Sequence, residues 1–428
     1  MGKIVSISIA GLGGRGGEAY GPYLNAQPDK WQIASILEPN PVRRKKYGDL
    51  FHVKEENRFA DEDEFFEKKR SDVLIISTMD HLHVRQALKA IPLGYDILLE
   101  KPISESKEEL SALEEAHLAH PSIIMVCHVL RYTAMVRKIK EWLDEEKIGR
   151  LITIDHTENI CYWHMAHSFV RGNWHSRKDS APMIMAKCCH DLDLLQFFIG
   201  PRCEKLSSMG DLRYFKKENQ PQGATHRCLD CPYGNSCPYS AKLIYERLWA
   251  EGGKGPDVWP IAAITDVVPQ TEEAILDALR NGPYGVCAFD CDNDMPDNQT
   301  TAMTFENGVT ATLKMEAFTA LGGRDIRLLG SRGEIDLHEE QGRGWLERWE
   351  FGKNDPVEHI PMADFAYADS GHGGGDHAII DALYDAVTGG KQSPETALEK
   401  SLESHYMAIA AEDSRLAGGE VKLLRDYR

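Results

Sequence analysis

Several ionisable groups in this chain stand where a fold could hold them still, next to apolar runs or inside short motifs. Lys101 follows Glu100 and precedes Pro102 at the end of the apolar stretch Tyr95 to Leu99, and a lysine held there could bind or move a proton at a substrate hydroxyl. His190 and Asp193 lie about one helical turn apart, with Lys187 just upstream. His190 is a candidate proton acceptor, or else a helix histidine satisfied by a backbone carbonyl. Asp193 could orient an imidazole or a hydroxyl, or simply complement the start of a helix. Trp163 to His175 is dense in aromatic, imidazole and guanidinium groups. Rings that stack on apolar faces and forked donors that take hydroxyls are how proteins hold sugars, so His164, Arg171 and Trp174 are candidate substrate contacts. The competing reading is a surface loop whose aromatics pack on a sheet. A second patch, Gly371 to His377, offers His372 on a glycine-rich turn that either admits a ligand or only opens a helix.

A different chemistry is suggested by Cys228-Leu229-Asp230-Cys231-Pro232, followed by Cys237-Pro238. The Cys-x-x-Cys spacing lets two sulfurs grip one ion and Cys237 adds a third, so structural zinc is expected. The fourth ligand is open among His226, Cys203, Cys188 and Cys189. Cys-Pro steps would also suit an iron-sulfur cluster, and thiols that bind nothing are the plain alternative. Cys287 and Cys291, beside the acidic stretch 290–294, are expected to pack or to face the pocket.

The elements that would position these groups begin with Lys3 to Ala10, a buried-strand pattern running into Gly11-Leu12-Gly13-Gly14-Arg15-Gly16. In a Gly-x-Gly-x-x-Gly turn the first glycine permits the tight turn, the second lets backbone approach a pyrophosphate, and the third lets a helix lie close on the strand. A helix from about Gly17 to Ala26 and a second apolar run, Trp31 to Leu37, then end on Glu38. A carboxylate there would meet the adenosine ribose hydroxyls and repel a 2′-phosphate, which favours NAD, although Arg15, Arg43 and Arg44 keep NADP open. Glu38 could instead merely cap the helix opening at Pro41. Strand and helix continue to alternate through Asp72 to Thr78, His83 to Ile91, Tyr95 to Leu99, Lys107 to Ala119 and Ile123 to Cys127, which implies a doubly wound parallel sheet over residues 1–131. Thr78 and Lys101 then fall at strand ends facing the glycine turn. Beyond Arg131 the strands near Leu151 to Glu158, Thr300 to Phe305 and Thr310 to Ala317 carry Thr, Val and aromatic residues, with a hairpin turn at Glu306 to Gly308. Residues 132–428 therefore read as a second α/β unit with a largely antiparallel open sheet and a cysteine-containing insertion over about 201–285.

With 428 residues, 42% hydrophobic and 27% charged, the chain can build large cores without staples. Its formal net charge of −18 argues against nucleic acid or an anionic membrane as partner, since only short basic clusters interrupt the acidic background. No run approaches a membrane-spanning length, and ten cysteines in a chain this long do not resemble a secreted disulfide framework, so a cytoplasmic protein is expected.

The glycine turn, His83 with Ala87, Glu100-Lys101-Pro102, Arg131, His190-x-x-Asp193 and the turn Leu329 to Gly333 together resemble the Gfo/Idh/MocA family of oxidoreductases, over about residues 1–200 and 283–335. The resemblance implies a Rossmann domain and a second α/β domain whose open sheet serves assembly as a homodimer or homotetramer. It also implies NAD(P)-dependent hydride transfer at a secondary hydroxyl of a sugar, glycoside or cyclitol. It carries Gly11, Gly13, Gly14, Arg15, Gly16, Glu38, Thr78, His83, Glu100 and Lys101 to the cofactor, and Lys101 and His190 to catalysis. Many relatives hold an aspartate four residues before that histidine. Here the position is Ala186 and its neighbour is Lys187, which could position or deprotonate a hydroxyl, or share a mutually lowered proton affinity with Lys101. That departure and the aromatic segment Trp163 to Trp174 keep open a glycosidase that oxidises its sugar transiently with NAD; a third class, a non-catalytic NAD-binding sensor, would have no need of Glu100-Lys101-Pro102 and His190.

Overall fold

A computed structural model describes residues 3–178, 180–251, 259–265, 267, 270–365, 371–389 and 394–428. Six apolar segments form the first sheet: β1 (Val5–Ala10), β2 (Trp31–Leu37), β3 (Arg58–Phe59), β4 (Val73–Ile76), β5 (Asp96–Leu99) and β6 (Ile124–Val126). All pairings are parallel, in the order β3-β2-β1-β4-β5-β6. Near-continuous burial of β1 and β4 follows from cover on both faces. The strand order reverses at β1, so the chain leaves β1 and β4 in opposite directions and opens a crevice at their carboxyl ends. The helix expected over Gly17 to Ala26 is two pieces, a π-helical turn Gly14–Tyr20 and an α-helix Gly21–Asn25. Close packing accounts for the glycines: a Cβ on Gly17 would lie 2.7 Å from the Tyr47 ring.

The second sheet has nine strands: β7 (Leu151–Asn159), β8 (Cys203–Asp211), β9 (Asn298–Phe305), β10 (Thr310–Glu316), β11 (Gly323–Gly330), β12 (Gly333–Glu340), β13 (Arg343–Glu350), β14 (Glu358–Pro361) and β15 (Lys422–Leu423). Their order is β14-β13-β12-β11-β7-β10-β9-β8-β15, antiparallel except for β7 with β10. The expected hairpin joins β9 and β10. Burial alternates along β9 to β12, the pattern of a sheet with one face on the core. The helices Cys189–Ile199 and Leu398–Leu416 pack together over this sheet and bring His190 and His405 toward the first one.

The end of the chain returns to the first sheet. Ile379, Ile380 and Leu383 of the helix Gly375–Gly389 join Ile7 and Ile9 in one core cluster, and Val126 donates its amide to the Thr396 carbonyl. The segment assigned from sequence to the second unit thus completes the core of the first. Among the described residues no helix is long and apolar enough to cross a membrane.

Candidate active site

The glycine turn sits at the end of β1. Gly11 has φ +87°, and a Cβ there would meet the Ser77 carbonyl oxygen at 2.5 Å, so this position demands glycine. A Cβ on Gly16 would meet the Gly11 carbonyl oxygen at 2.1 Å, whereas a Cβ on Gly13 would find nothing within 4 Å. Gly13 therefore presents bare backbone to open space, the condition a pyrophosphate needs. At the end of β2 the buried Glu38 carboxylate accepts the amides of Leu12 (2.8 Å) and Asn40 (2.9 Å), which locks it beside the turn with lone pairs to spare. These features fit a dinucleotide.

Other expected cofactor residues do different work. The guanidinium of Arg15 is held by carboxylates: it pairs with Glu100 (2.7 Å) and bidentately with Asp376 (3.0 and 2.7 Å). Glu100, buried, also accepts from Tyr20 and from the Lys101 amide. Arg15 and Glu100 thus tie the glycine turn to the lysine strand end and to the helix Gly375–Gly389. Thr78 donates its hydroxyl to Gln86, so its backbone is what remains for a cofactor. Both ring nitrogens of His83 lie against carbonyls, those of Pro102 (2.7 Å) and Thr78 (3.2 Å), and fix the two loops on which Thr78 and Lys101 ride.

The structure brings Lys101, His190 and His372 together, although His372 lies 182 residues beyond His190 in the sequence. The His190 ring is 5.6 Å from that of His372 and 6.1 Å from that of His128, and it is only 6% exposed. Neither of its nitrogens has a hydrogen-bond partner, which for a buried imidazole leaves its acid-base capacity free for a ligand. Burial, reinforced by the positive charge of Lys101, holds its pKa well below the ordinary histidine value, so the ring is neutral in the resting site. His372 occupies the left-handed region at φ 53° and is followed by Gly373 and Gly374, also at positive φ. This strained turn aims the ring at His190, while Nδ1 lies 3.1 Å from Asp376. His405 accepts the Ile103 amide at 2.9 Å and its other nitrogen faces the Ser401 carbonyl at 3.1 Å, which pins the loop carrying Lys101.

Several sequence expectations need correction. Lys187 is no base: its ammonium lies 2.7 Å from the buried Glu158 carboxylate. Although burial opposes the charge, Glu158 outweighs it and raises the lysine's proton affinity rather than lowering it jointly with Lys101. Arg324 bridges Glu158 (2.9 Å) and Asp191 (2.8 Å), and Asp191 also meets His156 at 2.9 Å. Two cations and two carboxylates thus form a neutral buried network beneath the site. Asp193 orients no imidazole at His190; it grips Arg131 through two bonds of 2.7 and 2.6 Å, both partners buried. Glu158, Arg324 and Asp376 escaped sequence reasoning because each is an isolated charge on a strand or helix whose partner lies far along the chain.

In the aromatic segment Trp163, His164, Phe169 and Trp259 form a cluster with centroid separations from 4.9 to 5.9 Å. Burial, and after it the charge of Lys187, lowers the proton affinity of the His164 ring, so this wall stands near the network. Trp174 is 37% exposed and packs at 6.4 Å on Phe169. Arg171 is not a substrate contact: buried, it donates to the carbonyls of Val286 and Tyr239, both at 2.6 Å. Among the described residues no three or more His, Cys, Asp or Glu side chains stand in an arrangement ready to hold a metal. Cys203 lies on β8, Cys188 and Cys189 at the His190 helix, and exposed His226 on Asp290 (3.0 Å), so none joins Cys228 as expected.

Comparison with known proteins agrees with this architecture. Residues 5–128 match the oxidoreductase family NAD-binding Rossmann fold, and residues 140–423 match the C-terminal alpha/beta domain of the same family. YteT of Bacillus subtilis, named as an oxidoreductase, is 24% identical over 379 residues, covering 85% of this chain and 84% of YteT. Levoglucosan dehydrogenase of Pseudarthrobacter phenanthrenivorans is 30% identical over 118 residues, 28% of this chain and 30% of that protein. The fold superposes on an Agrobacterium radiobacter oxidoreductase solved with NAD+, L-tartaric acid and magnesium (TM-score 0.69, 16% identity, 99% of each chain). It also superposes on scyllo-inositol dehydrogenase of Lactobacillus casei solved with NAD(H) and scyllo-inositol (TM-score 0.66, 15% identity, 99% of this chain and 100% of that one). With both domains matched in order, the chain belongs to the Gfo/Idh/MocA family of oxidoreductases.

Proposed function

We propose that this chain is an NAD-dependent dehydrogenase for a secondary hydroxyl of a sugar, glycoside or cyclitol. The observation that carries this reading is His190, a buried neutral imidazole with two unpartnered nitrogens, set beside Lys101. Gly13 would face the pyrophosphate and Glu38 would hold the ribose hydroxyls; bound NAD supplies the hydride acceptor. His190 takes the hydroxyl proton at a ring nitrogen, and the Lys101 ammonium holds the oxygen as negative charge develops there. Lys187, kept charged by Glu158, offers its remaining donors to a neighbouring hydroxyl. The aromatic wall at His164 and Trp174 supports a ring-shaped polyol. NAD is preferred over NADP because the Glu38 carboxylate would repel a 2′-phosphate, while Arg15 is turned to Glu100 and Asp376 and Arg44 directs one nitrogen to the carbonyls of Glu38 and Pro39. The outer face of the second sheet serves assembly of a homodimer or homotetramer in this reading, which light scattering would check.

The test is NADH formation across monosaccharides, glycosides and polyols, with His190→Ala and Lys101→Met as controls. Turnover by wild type and its loss in both variants, with NAD affinity retained in His190→Ala, supports the proposal. Release of an aglycone without net NADH would replace it with the transient-oxidation glycosidase. NAD binding without turnover on any member would favour a sensor.

A further inference from the structure

Four cysteines from two distant parts of the chain line one pocket: Cys228, Cys231, Cys237 and Cys287. The first three lie on a compact knuckle. Gly234 donates its amide to the Cys231 carbonyl at 2.9 Å, and a Cβ on Gly234 would approach the carbonyls of Cys228 and Cys231 at 2.9 and 3.1 Å. The fourth is delivered by backbone: Arg227 and Val286 form an antiparallel bridge, and the Cys287 amide donates to the His226 carbonyl at 2.8 Å. This pairing sets Cys287 beside Cys228 across 59 residues of sequence.

Donors already surround the sulfurs. Arg171 Nη2 lies 3.7 Å from Cys228 Sγ, and Gln220 Nε2 lies 3.5 Å from Cys287 Sγ. Arg171 also holds the carbonyls of Val286, next to Cys287, and Tyr239, two residues after Cys237. One guanidinium therefore ties three of the cysteine segments together and brings positive charge to a group of thiols. Cys291, the other nearby thiol, points its sulfur at the Cys287 carbonyl at 3.3 Å and does not line the pocket.

We propose that Cys228, Cys231, Cys237 and Cys287 bind one zinc ion as a closed tetrathiolate site, whose role is to fasten the segment 212–297 to the aromatic wall of the active site. The sulfurs share the pocket without forming a finished shell, so binding requires the half-buried Cys231 and Cys237 to turn about their Cα–Cβ bonds. Each thiol loses its proton to solvent on binding, and four thiolates with zinc leave a doubly negative centre for the Arg171 cation and the Gln220 amide to stabilise. Apolar Pro221, Ala224, Ala288 and Phe289 line the rest of the pocket, with Ala288 and Phe289 buried.

The test is metal content of the full chain purified without added chelator, read with thiol labelling and mass spectrometry. The proposal predicts one zinc per chain, with these four cysteines protected from maleimide until a chelator and denaturant are added. Cys287→Ser should lose the zinc, while Cys291→Ser and His226→Ala should keep it. Because a ligand variant may fail to fold, wild type reconstituted with cobalt provides a second reading: the intense visible bands of a tetrahedral thiolate set. Iron with acid-labile sulfide in place of zinc would overturn the assignment, as would a metal-free protein whose four thiols label at once. Either failure leaves the dehydrogenase reading standing, since NAD binding is measured separately.

Discussion

Replacing Glu158 by Gln tests whether Lys187 is a fixed cation rather than a base. In the wild type the network contains Lys187 and Arg324 against Glu158 and Asp191, and the side chains of Glu158 and Asp191 are 2% and 0% exposed. Breaking a buried pair on one side costs about 3 to 5 kcal/mol, because the surviving charge is left uncompensated. Arg324 keeps Asp191 at 2.8 Å, so the orphan is Lys187, whose side chain is 23% exposed and can recover some hydration. The expected loss is therefore near the lower end, about 3 kcal/mol, and a fall in melting temperature on the order of 5 °C. The variant should also respond differently to pH. In wild type the raised lysine pKa means the native state holds its proton more tightly than the unfolded chain, a contribution present at neutral pH and lost only as alkaline pH passes the folded pKa. Without Glu158, burial disfavours the ammonium and the folded pKa drops below the unfolded one. The unfolded state then binds more protons, and stability rises with pH between the folded pKa and the ordinary lysine value. Thermal melts of both proteins across pH 6 to 10, on the order of one unit apart, would read this directly. A Glu158→Gln protein that melts with wild type and shows the same pH dependence would refute the ion-pair reading of Lys187.

Three other outcomes follow from the same physics. His190→Ala should lower kcat by about 10²- to 10⁴-fold with NAD affinity unchanged by calorimetry, and an unaltered kcat would remove His190 from proton transfer. Glu38→Ala should weaken NAD binding by roughly 10- to 150-fold, the worth of a hydrogen bond to a charged group, while narrowing the discrimination against NADP; equal NAD affinity in the variant would place the ribose elsewhere. Acid should destabilise the fold through its buried histidines. Burial holds His128 and His190 well below the ordinary value, and puts His167 and His405 at about 3. Below about pH 6.5 the unfolded chain takes protons that these native rings refuse, so each contributes about 1.36 kcal/mol of lost stability per pH unit until its folded pKa is reached. Denaturant melts from neutral to mildly acidic pH would show the slope, and a flat profile would contradict the burial of these rings.

The first sheet was legible because its signals are local. Ile7, Ile9, Leu74 and Ile76 lie in short apolar runs bounded by turns, and Gly11 and Gly13 announce the crevice within six residues of sequence. Lys101 and His190 were legible as individual residues, but their meeting with His372 depends on a helix that packs back across the first sheet. The sequence showed only a glycine-rich turn opening that helix, and nothing in it pointed Ile379, Ile380 and Leu383 at the first sheet. Charges were read least well. Lys187 looked like a free amine because Glu158 is 29 positions away on β7, and Arg171 looked like a sugar ligand because its carbonyl acceptors lie on segments with no pattern of their own. The cysteine motif showed three ligands; Cys287 was passed over because only the Arg227–Val286 bridge brings it near. Long-range pairing between isolated polar residues leaves no period in the sequence.

The most direct measurement is isotope transfer. Polyols and sugars deuterated at each carbinol carbon would be incubated with the full chain and NAD, and the reduced nicotinamide examined by NMR. Deuterium on the nicotinamide ring from one substrate position, abolished by His190→Ala, is the predicted result. Tight NAD binding with no deuterium transferred from any carbinol position would contradict the assignment of this crevice as a site of hydride transfer.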